Sequence, residues 1–187
     1  MAGALIEAKI SDGGIQRQLA DIQSRLGNLR PAWALIGQIV LESVQRNFRE
    51  RRAPDGTPWK PVSAAYARAK AKKGHSPDNI LVLRNRLLRS INAKPGSDHV
   101  EVGTNVVYAA IHQFGGSINK KASARTVYFK IGKGKSRFSK KAKANFAQDV
   151  NIGAHTINMP ARTFLGIRAE DWGRMARGLE QYLLRGK

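Results

Sequence analysis

The stretch PAWALIGQIVLESVQRNFRERR, residues 31–52, predicts a helix with a broad buried face. Pro31 suits the first turn of a helix, where its missing N–H is not needed. Arginines crowd the other end, where cations complement the partial negative charge of a helix C-terminus. The apolar residues recur at helical spacing and form one stripe, as in a helix that packs against a core. They are Leu35, Ile36, Ile39, Val40, Val44 and Phe48.

Amphipathic helices are also predicted on both sides of this stretch. Residues 13–29 carry one apolar stripe and end at Gly27-Asn28, and we expect this helix to pack against the next as a hairpin or an elbow. The stripe consists of Ile15, Leu19, Ile22 and Leu26. Residues 169–184 predict a C-terminal helix with Glu170 and Asp171 in its first turn, where acids are favoured. Its expected apolar face is Trp172, Met175, Leu179, Tyr182 and Leu183.

A loop follows the central helix and leads into two shorter helices. Residues 53–63, APDGTPWKPVS, contain three prolines and a glycine, which exclude regular structure. Trp59 is expected to anchor this loop against the core. Ser63 can cap a short basic helix that follows it. Residues 80–91, ILVLRNRLLRSI, predict another short helix, whose apolar side is Leu83, Leu87, Leu88 and Ile91.

The strand signals come late in the chain. Residues 91–94 and 99–104 flank Pro-Gly-Ser-Asp and predict a hairpin. Residues 126–131 and 155–160 are further strand candidates. Helices followed by a few antiparallel strands and a last helix indicate the α+β class. We therefore predict a single domain over residues 1–187, with N-terminal helices, a small antiparallel sheet with an inserted basic loop or hairpin arm, and a C-terminal helix.

The formal charge of +20 favours a polyanionic partner, either nucleic acid or an acidic protein surface. Residues 117–147 hold ten basic residues and no acid, within an inserted arm predicted over residues 117–158. Such a segment can bind phosphates without reading sequence, or it can be a solvated or protein-binding arm. Both interpretations stay open. The candidate contact residues are Lys130, Lys133, Lys135, Arg137, Lys140, Lys141 and Lys143.

The residue pattern argues against catalysis. The chain has no cysteine, no His-x-x-x-His pair, no cluster of carboxylates at metal spacing and no Walker loop. We therefore expect no enzyme activity, no metal and no cofactor. No apolar run approaches the roughly 20 residues that cross a bilayer, and the first residues do not resemble a signal peptide. No membrane association is expected.

The stretch VVYAAIHQFGG, residues 106–116, could be either a catalytic corner or the end of a packed helix. As a helix it would place Val107, Ala110, Ile111 and Phe114 on one face. A histidine near a helix C-terminus can hydrogen-bond the last free carbonyls, and the glycine after it can adopt a left-handed cap. Without a partner acid, cysteine or metal set, the structural interpretation of His112 is favoured.

Five stretches in the same order resemble the phage virion morphogenesis, or tail completion, family of Mu-like and related tailed phages. They are residues 41–63, 80–91, 100–116, 159–167 and 170–183. Trp59 matches the PDGxPW loop of that family, and Pro160, Arg162 and Phe164 match its MPARxFLG stretch. His112, Gln113, Phe114 and Gly115 match its YAaiHQfGG stretch. The resemblance implies that these are structural positions, since it implies no catalysis.

The resemblance further implies a neck protein of tail completion or terminator type, which joins head and tail. It implies a homo-oligomeric ring around the DNA channel, with a hexamer as the expected count. The expected partners of this ring are the neighbouring head–tail connector and tail tube proteins, together with nonspecific contact with phage DNA. The expected location is the virion, with assembly in the host cytoplasm. Two departures stand out. Arg84-Asn85 replaces a Thr-Gly of relatives before a short helix, and the basic arm is longer and more charged than in the family.

Overall fold

The computed structural model describes residues 13–132 and 134–186 of the chain. Within them the fold is α+β, as predicted, with helices at both ends and antiparallel strands between them. The helices are α1 (Gly13–Leu26), α2 (Arg30–Glu50), α3 (Ala64–Ala71), α4 (Arg86–Arg89), α5 (Ala109–Phe114) and α6 (Ala169–Arg185). The strands are β1 (Asn92–Pro95), β2 (Val100–Gly103), β3 (Gly116–Lys120), β4 (Ser123–Gly132), β5 (Lys135–Phe138), β6 (Phe146–Ile152) and β7 (His155–Met159).

Helix α2 is the centre of the fold. Helix α6 packs along it, and the hairpin β1–β2 packs on another part of its surface. The predicted stripe is buried at Ile39, Val40, Val44 and Phe48. The helix ends at Arg51, which adopts a left-handed conformation (φ 57°) and donates its backbone N–H to a carbonyl of the last turn. Burial of this stripe against α6 and the hairpin therefore organises the body of the protein.

The core consists of apolar side chains from the helices, the loop around Trp59 and the segment before α6. Its buried members are Ile39, Val40, Val44, Phe48, Trp59, Ile80, Leu87, Ile91, Val106, Ala109, Phe164 and Met175. Within the described chain, no member comes from residues 116–159. The strands β3 to β7 are therefore not held in place by this core.

The strands form three antiparallel sheets instead of the one predicted. The hairpin β1–β2 matches the sequence prediction, with Asn92 opposite Gly103. Strands β3 and β7 form a second pair. Strand β4 lies between β5 and β6 in a third sheet. The segment over residues 117–158, which we call the basic arm, therefore carries regular antiparallel structure along most of its length. We call the rest of the described chain the body.

One helix of the N-terminal half differs from its prediction, and another begins where it was expected. The helix expected over residues 80–91 is confined to α4, and Leu83 is 43% exposed. Asn85 precedes α4 with a left-handed backbone (φ 55°), which ends any continuous helix at that point. Asparagine is the non-glycine residue that best tolerates this conformation. Helix α3 begins as predicted, because the Ser63 hydroxyl accepts from the N–H of Tyr66.

The predicted apolar face of α6 is wrong at its first position. Trp172 is 62% exposed, whereas Asp171 is completely buried. The buried residues are Asp171, Met175, Gly178 and Tyr182, at spacings of four, three and four. A Cβ at Gly178 would lie 2.7 Å from Cδ2 of Leu35, so the glycine permits close approach of α6 to α2. Close packing at this small residue rotates the buried face away from Trp172.

Helix α1 is the second departure in burial. Its apolar stripe follows the predicted spacing, yet no residue of the helix is buried. Ile15, Leu19 and Leu26 are 52%, 60% and 54% exposed. The end of the helix is tied down, because Arg25 donates to the carbonyl of Leu183 and Tyr182 donates to that of Asn28. The stripe of α1 is thus an apolar surface that the described part of this chain leaves uncovered.

Candidate functional site at the root of the basic arm

The chain enters the basic arm after α5 and leaves it before α6, and these two segments meet at the root of the arm. Gln113 is the main link between them. Its Oε1 accepts from the N–H groups of Phe164 and Leu165, each at 3.0 Å, and its Nε2 donates to the carbonyl of Leu165 at 2.9 Å. One side-chain amide therefore satisfies three backbone groups across about fifty residues of sequence.

Phe164 provides the apolar packing at the same root. It is completely buried, and its ring lies 5.4 Å from that of Phe48 between centroids. Phe48 in turn makes an edge-to-face contact with Trp59, also at 5.4 Å. Trp59 donates its indole N–H to the carbonyl of Thr163 at 3.0 Å. The loop containing Trp59 is therefore attached to the exit of the arm through both ring packing and a hydrogen bond.

Arg162 occupies a buried position beside this loop, with 5% exposure. Its guanidinium donates to the carbonyls of Lys60 and Pro61 at 2.9 and 3.2 Å. Burial lowers the pKa of Arg162. The carbonyls of Lys60 and Pro61 are available as acceptors because these two residues lie in no strand. The side chain thus fastens the exit of the arm to the proline-rich loop by means of a buried cation.

His112 lies at the root with its Nδ1 buried and without a hydrogen-bond partner in the described chain. Our expectation that it would hydrogen-bond the last helical carbonyls is therefore wrong. Its backbone carbonyl accepts from the N–H of Arg162 at 2.7 Å, and its ring meets that of Tyr108 edge to face. Burial lowers the pKa of His112, and the positive charge of Arg162 lowers it further. The lowered pKa favours the neutral form of the ring, which packs against Tyr108.

The rest of the VVYAAIHQFGG stretch is only partly helical. Helix α5 begins at Ala109, and the buried residues are Val106 and Ala109. The predicted packed face is wrong, since Val107 is 98% exposed and Phe114 is 79% exposed. The cause is the short length of α5, which starts after a turn and ends where the chain must enter β3. Pro160 is half-buried at the opposite strand end.

Gly115 turns the chain from α5 into the arm. Its backbone has a positive φ of 72° but an extended ψ of −170°, so it is not the left-handed helix cap that we predicted. A Cβ at this position would lie 2.8 Å from the backbone nitrogen of Ala161 and 3.0 Å from the carbonyl oxygen of Met159. Glycine is required here because the entry and exit of the arm pass within contact distance of each other.

The far part of the arm has two chemically different faces. Register places Phe129 opposite both Phe138 and Phe146, and the ring centroids are 5.1 and 6.1 Å apart. The next pair, Lys130 and Arg137, lies directly opposite in register. Because side chains alternate along a strand, the three phenylalanines and this basic pair project from opposite faces of the sheet.

The remaining basic candidates lie at the end of the arm. Lys135 begins β5, and Lys140, Lys141 and Lys143 lie in the connection to β6, all of them exposed. Lys133 falls outside the described residues. No acidic residue occurs in this part of the sequence. The structure therefore brings Lys130 and Arg137 together on one face of the sheet. Lys135, Lys140, Lys141 and Lys143 lie near this pair in the sequence.

Sequence reasoning missed several polar residues that hold the root and α6 in place. Asn47 is completely buried, donates to the carbonyl of Phe164 and accepts from Arg168 at 2.8 Å. Arg168 also pairs with Glu50 at 2.8 Å. Asp171 pairs with Arg174 at 3.0 Å. The sequence offers only a weak signal for them, namely polar residues placed within apolar helical stripes.

Among the described residues, no group of three or more His, Cys, Asp or Glu side chains could hold a metal ion. Over the same part of the chain, none of the helices combines the length and the apolar character that a bilayer crossing requires. The side-chain hydrogen bonds of Trp59, Gln113 and Arg162 at the root all go to backbone groups.

Comparison with known proteins gives one family match and two relatives. The sequence model of the phage virion morphogenesis family matches residues 10–184. A putative capsid assembly protein G of Escherichia phage Mu is 35% identical over 79 residues, which are 42% of this chain and 51% of that protein. An uncharacterized protein of Methanocaldococcus jannaschii is 32% identical over 80 residues, 41% of this chain and 56% of that protein. The chain thus spans about half the length of these relatives, and no solved structure matches it.

Proposed function

Because this chain belongs to the phage virion morphogenesis family, we propose that it is a structural protein of the phage neck. In this role it completes the tail and joins it to the head, as a ring of identical subunits around the DNA channel, with six as the expected number. It acts by assembly and not by catalysis. Its partners are the neighbouring head–tail connector and tail tube proteins, and its final location is the virion.

The observation that carries this proposal is the family match, which covers nearly the whole chain. The similarity to a phage protein named for capsid assembly supports a role in building the particle. The apolar stripe of α1 supports association with further chains. An isolated subunit gains nothing from exposing a row of leucine and isoleucine side chains, whereas an assembly can bury them.

The test is deletion of the gene in a phage that carries it, with the lysate examined by electron microscopy. We expect full heads and separate tails, and complementation by the intact gene should restore joined particles. In parallel, mass spectrometry of purified virions should detect the protein. Infectious, joined particles from the deletion strain would disprove a role in the neck.

A second candidate function is contact with nucleic acid through the basic arm. It rests on the pair Lys130 and Arg137, two like charges that lie directly opposite on adjacent strands. Such a pair destabilises a sheet unless a counter-charge is present. Phosphates of a duplex would supply that counter-charge without any reading of base sequence.

This second function is tested by measuring the affinity of the protein for duplexes of unrelated sequence over a range of salt concentrations. We expect affinity to fall steeply with salt. In the Lys130→Gln, Arg137→Gln variant, the slope of log K against log salt concentration should be up to about two units shallower. The variant Lys72→Gln, Lys73→Gln, at the exposed end of α3, carries the same change in charge and is the matched control. Equal slopes for the two double variants would disprove the role of the arm.

A further inference from the structure

A cleft beside the end of α2 carries an unusual set of side chains. It has a volume of about 510 Å³, within the range of sites that hold a ligand or a short peptide segment. We call it the arginine cleft. Its lining residues are Gln45, Phe48, Arg49, Arg51, Asn79, Val82, Leu88 and Arg89. The lining thus combines an apolar floor with three arginines and contains no acidic side chain.

The arginine cleft carries an excess of positive charge, although Arg51 donates to the backbone carbonyl of Asp78, an exposed acid, at 3.3 Å. None of its three arginines takes part in an ion pair within the described chain. Lys70 adds to the positive field, since its side chain is 4% exposed and its ammonium donates to the carbonyl of Asn79 at 2.8 Å. A concave surface with one sign of charge focuses the field and attracts a group of opposite charge.

The same chain offers two exposed acids at the tip of the hairpin β1–β2. Asp98 lies at this turn and Glu101 follows it in β2, with side chains 82% and 72% exposed, and the ring of His99 contacts both carboxylates, at 2.7 Å from Asp98 and 3.9 Å from Glu101. Asp55, Asp78 and Glu180 are also exposed and form no ion pair in the described chain, but none of them has a second acid within four positions. Four further acids of the body are engaged. They pair with arginines of the same chain, namely Glu42 with Arg174, Glu50 with Arg168, and Glu170 and Asp171 with Arg46. Within the described body, the hairpin turn is therefore where two exposed acids without an arginine partner lie together.

The turn and the cleft lie toward opposite ends of α2. The hairpin begins beside the cleft, because β1 follows Arg89 by three residues. It then runs back along α2, where a Cβ at Gly37 would lie within 3.0 Å of Ala93 and Val100. Gly37 and Arg49 are twelve positions apart on one helix, which corresponds to about 18 Å. The turn of one subunit therefore cannot reach its own cleft.

We propose that the arginine cleft of one subunit receives the β1–β2 turn, led by Asp98, of a second copy of this chain. The contact is heterologous, since two different surfaces meet, and a repeated heterologous contact closes into a ring when its rotation permits. It rests on the proposed function in that it supplies the subunit contact of the ring. A duplex fits less well, because its backbone is broad and convex and offers nothing to the apolar floor of Phe48, Val82 and Leu88.

The experiment measures self-association of the full chain by analytical ultracentrifugation at low salt. The turn variant is Asp98→Arg, and the cleft variant is Arg49→Glu together with Arg89→Glu. Each should weaken association by about tenfold or more, because like charges then face each other. Combining the three substitutions in one chain restores opposite charges and should restore association. Circular dichroism checks that each variant is folded, as expected for exposed side chains.

The matched control is Asp149→Arg, which changes an exposed acid of the basic arm by the same charge and should leave association unchanged. The proposal is overturned if the turn and cleft variants associate as the wild type does, if the combined variant stays dissociated, or if the wild type does not associate at all. It is also overturned if the cleft variant loses affinity for duplex DNA alone. Each of these results leaves the neck function open, because that function is decided separately by the deletion strain and the virion proteins.

Discussion

Gln113 pairs with Leu165 through both groups of its side-chain amide, accepting from the N–H at 3.0 Å and donating to the carbonyl at 2.9 Å. The side chain thereby acts as a short piece of strand that closes the root of the basic arm. The N–H of Phe164 shares the same acceptor. The entry and the exit of the arm are held together at this point, and the geometry of the arm relative to the body depends on it.

Replacing Gln113 by Ala should lower the free energy of unfolding by about 1–3 kcal/mol, because backbone groups of Phe164 and Leu165 then lose their partner. The measurement is urea denaturation of the purified protein. Gln148→Ala, at an exposed position of β6, is the matched control and should change stability by less than about 0.5 kcal/mol. Equal effects of the two substitutions would show that the hydrogen bonds of Gln113 do not hold the root.

Two phenylalanines in different environments provide a test of where the core ends. Phe164 is completely buried, and Phe164→Ala should cost about 3–5 kcal/mol through lost burial and a cavity. Phe138 is 81% exposed on the arm, and Phe138→Ala should cost less than about 1 kcal/mol. Thermal or urea denaturation measures both. A large loss for Phe138→Ala would mean that the arm is buried in a way that the single chain does not show.

The lowered pKa of His112 predicts a pH dependence of stability. In the unfolded chain the pKa of histidine is about 6.5, so just below that pH the unfolded state binds more protons than the folded state. The stability contribution of the neutral ring is thus fully present above about pH 6.5 and is lost as the pH falls toward the folded pKa. In His112→Gln this part of the pH dependence should disappear. Parallel curves for the two proteins between about pH 5 and pH 8 would contradict the assignment.

The exposed stripe of α1 predicts an effect on assembly without an effect on folding. Leu19→Lys places a charge on the stripe and should weaken self-association several-fold, because a buried apolar contact would have to take up an unpaired charge. The fold should persist, since no residue of α1 is buried. Light scattering reports assembly, and circular dichroism reports folding. Ser24→Lys, on the opposite side of the helix, is the control and should assemble normally.

Local features were predicted well. The spacing of apolar residues placed α1, α2 and α6 close to their observed bounds, because residues on one face of a helix recur every three or four positions. The hairpin β1–β2 was predicted from its turn residues. Of the two later strand candidates, residues 126–131 lie within β4, and residues 155–160 match β7 except for the last residue. The helix expected over residues 80–91 was too long, because the sequence gives little indication that Asn85 adopts a left-handed backbone.

Features that join distant residues were not predicted. The burial of Asn47 and Asp171, and the exposure of Trp172, depend on how closely α6 approaches α2. The contacts of Gln113 and Arg162 involve backbone groups roughly fifty and one hundred residues away, which carry no side-chain signature. The basic arm was expected as a loop or hairpin, and its three-stranded end depends on pairing among segments whose alternation is weak.

The sequence by itself determined the class of the fold, the extents of its main helices, the place of the basic arm and the uneven charge. These follow from periodicity, turn residues and composition, which act over a few neighbouring positions. Only the tertiary structure decided which helical faces are buried, how the arm is fastened at its root, and that an arginine cleft and an acidic turn lie at opposite ends of α2. Those relationships arise because packing and hydrogen bonding select among faces that local sequence leaves equivalent.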